Sequence, residues 1–598
     1  MRIEKLLLQL DAEKYKRTAN IISCRFGRNQ VPIDGTPEQL AACYTPERIE
    51  RALSELQPDE REVLEMIAAL ADDHGSLLLD DAVLKSNVLF GEPGRFRSVI
   101  RSLEEQGLLF SLRDFWREKL ILPEELMEPV LRSCARRLAE QIRTGAIVEY
   151  ADDVSTVDSC GFAAYHDLIT FLSFLAREGA EVTQKGHIYK RTINKIVEKF
   201  RSPERLFPEP FGEYMPKHFY FFESFLKRSA LARFERTVWL DHSKLKEWLA
   251  LSYTEWARRM YRFYLTRIYA GSRLHHRFLF RIFAEFGREA NNQSGGGPGW
   301  WDPMQIYQTI AQKTERWGVW LREEQLKEMI YNPFYILGLI ERRKGSQGEI
   351  YWRWTRFGLE FVTANPPHPL HSSSGWDTSF YVQPNLELMV PETVPAAVRW
   401  GVEALAEHER ADAVHLYRLT RASIRRALEA GWTKEQMLNF LTRFSKVPVA
   451  DNVQHTVAGW IGHFGKAELW DVLMVKVNDP ELAVKLQAHP DFQRWVVLSV
   501  SETAFVIRRQ DEAQFRNWMS GIGYELPLRV RDPGAETIET DGTIEGMRAQ
   551  ENDVGNGDAD DDMKRVRLHN LGVFSPALIA RIQDLSGKIP FADSPDSL

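Results

Sequence analysis

GRFRSVIRSLEEQGLL (94–109) runs into LLFSLRD (108–114) and, after a two-residue break, REKLILP (117–123). Phe96, Val99, Ile100 and Leu103 recur at i, i+3, i+4 and i+7, the spacing of one buried helical face. Gly107 ends that helix, and the two alternating runs that follow read as strands joined by a charged turn. Upstream, PDEREVLEMIAALADD (58–73) is an amphipathic helix beginning at Pro58, and DDAVLKS (80–86) is a shorter one.

Three helices followed by a charged hairpin is the winged-helix layout. A second such unit is expected where REEQLKEMI (322–330) and NPFYILGLIE (332–341) precede the hairpin LIERRKGSQGEIYWRWT (339–355). A looser copy is expected over 217–268, with ARFERTVWLD (232–241) as a strand pair and HSKLKEWLALSYTEWARRM (242–260) helical. The copies share architecture and not sequence.

The chain has 598 residues, 44% hydrophobic and 27% charged, enough for several folded units of ordinary size. Pro/Gly-rich breaks fall at NNQSGGGPG (291–299) and NPPHPLHSSSG (365–375). They suggest an N-terminal helix with the first winged unit (1–145) and a helical, winged-like region (146–290). A winged unit (300–364) and an α/β domain (375–530) follow. Residues 531–562 carry eleven acidic residues, two arginines and five glycines, and read as a disordered acidic linker before a short tail (563–598) with a helix near 575–585. The total charge is −7; removing the linker's −9 leaves +2, so any nucleic-acid affinity must come from local patches.

Cys24, Cys43, Cys134 and Cys160 are far apart with no CxxC, which excludes a zinc ribbon or a disulfide scaffold. No apolar run approaches a membrane span, and the charged opening MRIEKLLLQLDAEKY is unlike a signal peptide; a cytoplasmic location is expected. GHFGKA (462–467) is too short between its glycines for a phosphate loop, and DEAQ (511–514) follows no apolar strand end, so it reads as a helix start. HERAD (408–412) lacks the second histidine of a zinc protease helix. His368 and His371 lie in a Pro/Ser loop, and the adjacent His275 and His276 would point to different helix faces. No catalytic residue, cofactor or metal is expected.

Binding is the better-supported class. Residues 257–281 hold seven arginines and six aromatics with no acid. Arg258, Arg259, Arg262, Arg267, Arg273 and Arg277 are therefore candidate phosphate contacts. The competing reading is a helix pair with aromatics inward and arginines paired to acids elsewhere. Arg95, Arg97 and Arg101 lie off the apolar stripe of the third winged helix, where a recognition helix meets a groove.

SFYVQPNLELMVP (379–391) reads as strand, turn, strand. VHLYRLTRASIRRALEAGWTKEQMLNFLTRFSKVPVADNV (414–453) follows with two capped helices, Thr420 capping the first and Thr433 with Gln436 boxing the second. Residues 497–530 read as strand, helix and strand, a small βαβ-like closing unit. The succession of QPNLELMV, YRLT, ALEAGW, FSK and VP resembles the N-terminal domain of XPB-type helicases. It also resembles bacterial helicase-associated proteins that carry this domain without motor lobes. The resemblance covers about residues 375–500. Together with the winged units read above, it gives the expected fold class: an α+β, mainly helical chain of winged-helix modules followed by an XPB N-terminal-like α/β domain. It also implies a non-catalytic helicase-associated factor that binds DNA, a helicase or nuclease partner, or both, in repair or transcription. Tyr417, Arg418, Arg421 and Arg425 would form its interaction face; their plain reading is a core tyrosine beside a solvated arginine face. A winged-helix transcriptional regulator whose C-terminal domain mediates oligomerisation is the alternative.

Overall fold

Pro58 opens its helix at the first turn, where a missing N–H costs nothing, and Glu60 accepts from the Gln57 N–H at 2.9 Å. The helix Pro58–Leu70 is followed by a strand, Ser76–Leu78, then the helices Leu79–Phe90 and Pro93–Glu105 and the strands Phe110–Asp114 and Arg117–Ile121. The three strands form an antiparallel sheet in the order first–third–second, with Leu77 opposite Leu120 and Phe110 opposite Ile121. The first strand is too short to register as an alternating run and is absent from the sequence reading. The computed structural model describes residues 1–26, 36–72, 74–114, 117–148, 157–209, 215–268, 276–292, 300–345, 349–363, 378–411, 414–467, 470–527, 530 and 556–585.

The same element order recurs further along. The helix His276–Asn292, strand Trp300–Trp301 and helix Pro303–Arg316 lead into a helical run, Glu323–Leu326, that continues through a π turn (Lys327–Tyr331) to Ile336. The strands Ile340–Lys344 and Ile350–Trp354 complete it. Trp301 pairs with Trp352 on the last strand, and Ile147–Val148 adds a fourth strand at the edge. The sequence reading split Glu323–Ile336 into two helices at Asn332; here Asn332-Pro333 follows the π turn, and the chain stays helical. In the looser copy, Ala232–Phe234 and Val238–Leu240 form a two-stranded sheet between the helices Lys217–Arg228 and His242–Leu249.

The chain divides into two compact units, Met1–His455 with Asp562–Leu598, and Thr456–Asp561. In the first, a long helix, Glu124–Ala146, runs alongside His276–Asn292, Pro303–Arg316 and Pro58–Leu70. Ion pairs hold these helices together: Lys313 meets Glu62 at 2.6 Å and Glu65 at 3.1 Å, Arg137 pairs with Glu65, and Trp317 donates to Glu62 at 2.9 Å.

A four-stranded antiparallel sheet follows in the same unit, in the order Tyr381–Val382, Glu387–Pro391, Val414–Arg418, Glu407–Ala411. The buried helix Ala396–Leu405 connects two of its strands along the chain, Glu387–Pro391 and Glu407–Ala411, and the helices Arg421–Glu429 and Lys434–Phe444 come after, both with the expected threonine caps. His408–Ala411, most of the HERAD segment, therefore lies in a strand, where residues do not share a helical face.

The second unit is a three-stranded antiparallel sheet, Val472–Lys476, Ala504–Arg508 and Val496–Ser501, packed on the helices Pro480–Ala488 and Glu512–Gly521 around Phe492, Phe505 and Phe515. The βαβ-like reading of 497–530 is corrected here. Glu502-Thr503 turns the single expected strand into a hairpin, and 524–527 form no strand. DEAQ does open a helix.

Of the acidic segment, 531–555 lie outside the described residues. Residues 556–562, expected as linker, begin the helix Asn556–Leu571. Among the described residues, no helix is long and apolar enough to cross a membrane.

Candidate functional site

Two places gather the charged residues singled out in the sequence. The first is the outer face of the helix Pro93–Glu105. Phe96 and Leu103 are fully buried and Val99 and Ile100 nearly so, which turns Arg95, Arg97 and Arg101 to solvent. Arg95 is bound to Asp59, with its Nε donating at 3.0 Å. Arg97 and Arg101, one turn apart, have no carboxylate partner among the described residues. The hairpin beside them exposes Arg113 and Arg117. The equivalent helix of the second such unit differs: its exposed residues include Glu324, Lys327 and Glu328, and Met329, Ile330, Tyr331 and Phe334 are buried. Only the first helix offers uncommitted cations.

Within the arginine/aromatic stretch, Arg258 is corrected as a candidate phosphate contact. The stretch forms two core helices, Tyr253–Ile268 and His276–Asn292, with Trp256, Tyr261, Phe278 and Phe280 buried. Arg258 is only 5% exposed and lies against the Phe361 ring, so it cannot reach a phosphate in the folded chain. Arg259 is exposed but pairs with Glu255 at 3.1 Å, Arg262 is exposed, and Arg277 is half-buried. Arg281 pairs with Glu128. The side chain of Arg267 and all of Arg273, His275, His368 and His371 lie outside the described residues. Seven arginines in one stretch do not reveal which helical face is enclosed; helices packed from several sides bury two of them, Arg258 and Arg281.

The second place is a buried polar cluster that the sequence reading missed. Arg399, fully buried, donates from Nε to the Tyr417 hydroxyl at 2.8 Å, and Tyr417 donates to Glu403 Oε1 at 2.7 Å. Ser173 and Arg177, from the buried helix Ala163–Glu178, each donate to Glu403 Oε2 at 2.7 Å. Burial alone would raise the Glu403 pKa; Arg177 and Arg399 instead pull it down to about 2. His166 donates from Nε2 to the Glu392 carbonyl at 3.0 Å, leaving Nδ1 to accept from Arg399. Burial and then Arg399 hold His166 neutral. His408 and His415 stand 3.2 Å apart; burial, opposed by Glu403 and aided by Arg399, lowers the His408 pKa to about 4. The only sequence signal was Arg399 and Glu403 at i, i+4 in an otherwise apolar run. Among the described residues, no group of histidines, cysteines or carboxylates could hold a metal.

This cluster fastens the sheet of 381–418 to the helical body. Tyr417, expected on an interaction face, is instead fully buried inside it. Arg418 is half-buried between Glu387 and Glu409. Arg421 and Arg425 are exposed, the latter 3.7 Å from Glu429.

Residues 380–500 match the family described as helicase conserved C-terminal domain. The chain is helicase-related over that stretch, a fifth of its length. No curated protein matches the chain. The helicase-related stretch takes in the whole four-stranded sheet and its helices, and it extends into the second unit as far as Val500. Its first part is further held by the C-terminal tail. Trp400 donates to the Val573 carbonyl at 3.0 Å, Trp432 to the Phe574 carbonyl at 2.8 Å, and the Trp400 and Phe574 rings stack 4.9 Å apart.

Proposed function

We propose that the protein is a non-catalytic, helicase-associated factor in DNA transactions, its 375–500 region an XPB N-terminal-type domain and its 58–121 unit a DNA-contacting winged helix. The match of 380–500 to a helicase domain family supports the helicase relation on which the first part of this reading builds. The strand order first–third–second behind three helices, with Arg97 and Arg101 exposed on the third, supports the second part. The sequence has no GxxxxGK[ST] loop to cradle a triphosphate, so the helicase-related segment serves here as a docking and positioning domain rather than a motor. The working partners are duplex DNA and a helicase or nuclease.

The test is a pair of measurements on one preparation: DNA-stimulated ATP hydrolysis and duplex binding as a function of salt. Binding without hydrolysis fits the proposal. Hydrolysis that follows the protein through size exclusion refutes the non-catalytic part. Absence of duplex binding at low salt refutes the DNA-contacting part.

A further inference from the structure

A cleft of about 640 Å³ lies between the helix Pro46–Ser54 and the long helix Glu124–Ala146, away from the residues assigned to DNA. Its floor is apolar: Ile49 and Leu53 are one turn apart on the short helix and nearly buried, with Tyr44 beside them. Its opposite wall is cationic. Arg132 and Arg136 are one turn apart, and so are Ser133 and Arg137, which puts all four on one side of the long helix. Arg61 closes one end.

The carboxylates at this cleft are mostly committed elsewhere. Both oxygens of Glu125 accept from the Ile3 N–H, at 3.2 and 3.1 Å. Glu128 pairs with Arg281 and stands 3.7 Å from Arg132. Glu50 is exposed at the mouth. Among the guanidinium groups, Arg136 is exposed with no ion pair among the described residues, and Arg61 donates only to the Leu56 carbonyl, at 3.1 Å. Arg132 Nε is shut from solvent without a hydrogen-bond partner and stands 3.9 Å from Glu285. Arg61 also repels Arg137, which adds to burial in lowering the Arg137 pKa. Arg137 is compensated by Glu65 and Arg132 partly by Glu128, whereas Arg61 and Arg136 face the cleft without a carboxylate partner among the described residues, a charge that a bound anion would offset.

We propose that this cleft is a binding site for a terminal phosphate carried on an apolar group, the chemistry of a nucleotide, with Arg61, Arg132 and Arg136 on the phosphate and Ile49 and Leu53 under the apolar part. Guanidinium groups match phosphate oxygens with paired N–H donors, and the volume falls in the range of small-ligand pockets. The phosphate can come from a free nucleotide or from the 5′-phosphate end of a nucleic acid.

Calorimetric titration of the full chain with ADP, adenosine, and a single-stranded oligonucleotide with or without a 5′-phosphate tests this. Saturable binding of ADP but not adenosine is expected. Tighter binding of the 5′-phosphorylated oligonucleotide than of its unphosphorylated form would assign the site to chain ends; equal oligonucleotide affinities with ADP saturation would assign it to free nucleotide. Arg136→Glu, on an exposed residue outside the packing, should weaken ADP binding by about tenfold or more. The Arg97→Ala/Arg101→Ala variant should leave ADP affinity unchanged, which separates this site from the proposed DNA face. Failure of both ADP and the 5′-phosphorylated oligonucleotide to saturate, or unaltered ADP affinity in Arg136→Glu, would overturn the proposal.

Discussion

Replacing Glu403 by glutamine keeps the size of the side chain and removes the one negative charge facing Arg177 and Arg399. Both oxygens of Glu403 are occupied, by Tyr417 on one side and by Ser173 and Arg177 on the other. Its pKa falls from the ordinary 4.5 to about 2, and at about 1.4 kcal/mol per unit this corresponds to roughly 3 kcal/mol in favour of the folded chain. Loss of one partner from a buried ion pair costs a similar ~3–5 kcal/mol. The sign follows from the shift. The folded state holds this carboxyl ionised to lower pH than the unfolded state does, so the contribution is complete above 4.5 and is lost as pH falls toward 2. Guanidinium unfolding followed by tryptophan emission should therefore show Glu403→Gln less stable by about 3 kcal/mol at neutral pH, with less further loss than wild type between pH 4.5 and 2. The double variant Arg399→Met/Glu403→Leu should lose less than the sum of its single changes, because it leaves fewer uncompensated charges buried. A Glu403→Gln protein within about 0.5 kcal/mol of wild type, a margin usual for surface changes, or a strictly additive double variant, would refute the assignment of Glu403 as counter-charge to the two arginines.

Asn570, fully buried, accepts from the Leu240 N–H at 3.0 Å and donates to the Val238 and Leu175 carbonyls. Asn570→Ala strands three backbone groups and should destabilise the first unit by about 2–4 kcal/mol, read as a lower denaturant midpoint. His408 titrates near 6.5 unfolded and at about 4 folded, so its contribution is whole above pH 6.5 and declines as pH falls toward 4; in His408→Gln the stability should fall less steeply over that window. Arg97→Ala/Arg101→Ala should flatten the log–log salt dependence of duplex binding by about two, at ~0.9 per phosphate contact, with an unchanged thermal melt. Arg258→Ala, in contrast, should lower the melting temperature, because its side chain lies in the core against Phe361.

Periodicity and punctuation by themselves determined the local elements. Phe96 to Leu103 at helical spacing, Gly107 as a stop, Thr420 and Thr433 as caps and the strands around Pro384-Asn385 were legible because each depends on neighbours within one or two turns. The helicase relation of 380–500 was legible for the same reason: it lies in a succession of local signals. What lay beyond sequence was decided by contacts between distant segments. Arg258 looked like Arg97 in the chain, yet one is enclosed by a neighbouring helix and the other faces solvent. Tyr417 read either as an interaction-face residue or as a core tyrosine, but nothing local showed that its hydroxyl links Arg399 and Glu403, in a cluster completed from residues 166–177, more than two hundred positions away. The tail at 570–574 carried no signal for the Trp400 and Trp432 indoles it accepts from. A helical period shows that a face is apolar, but which partner covers it, and whether a charge on its margin meets water or a buried counter-charge, is set only when the chain folds back on itself.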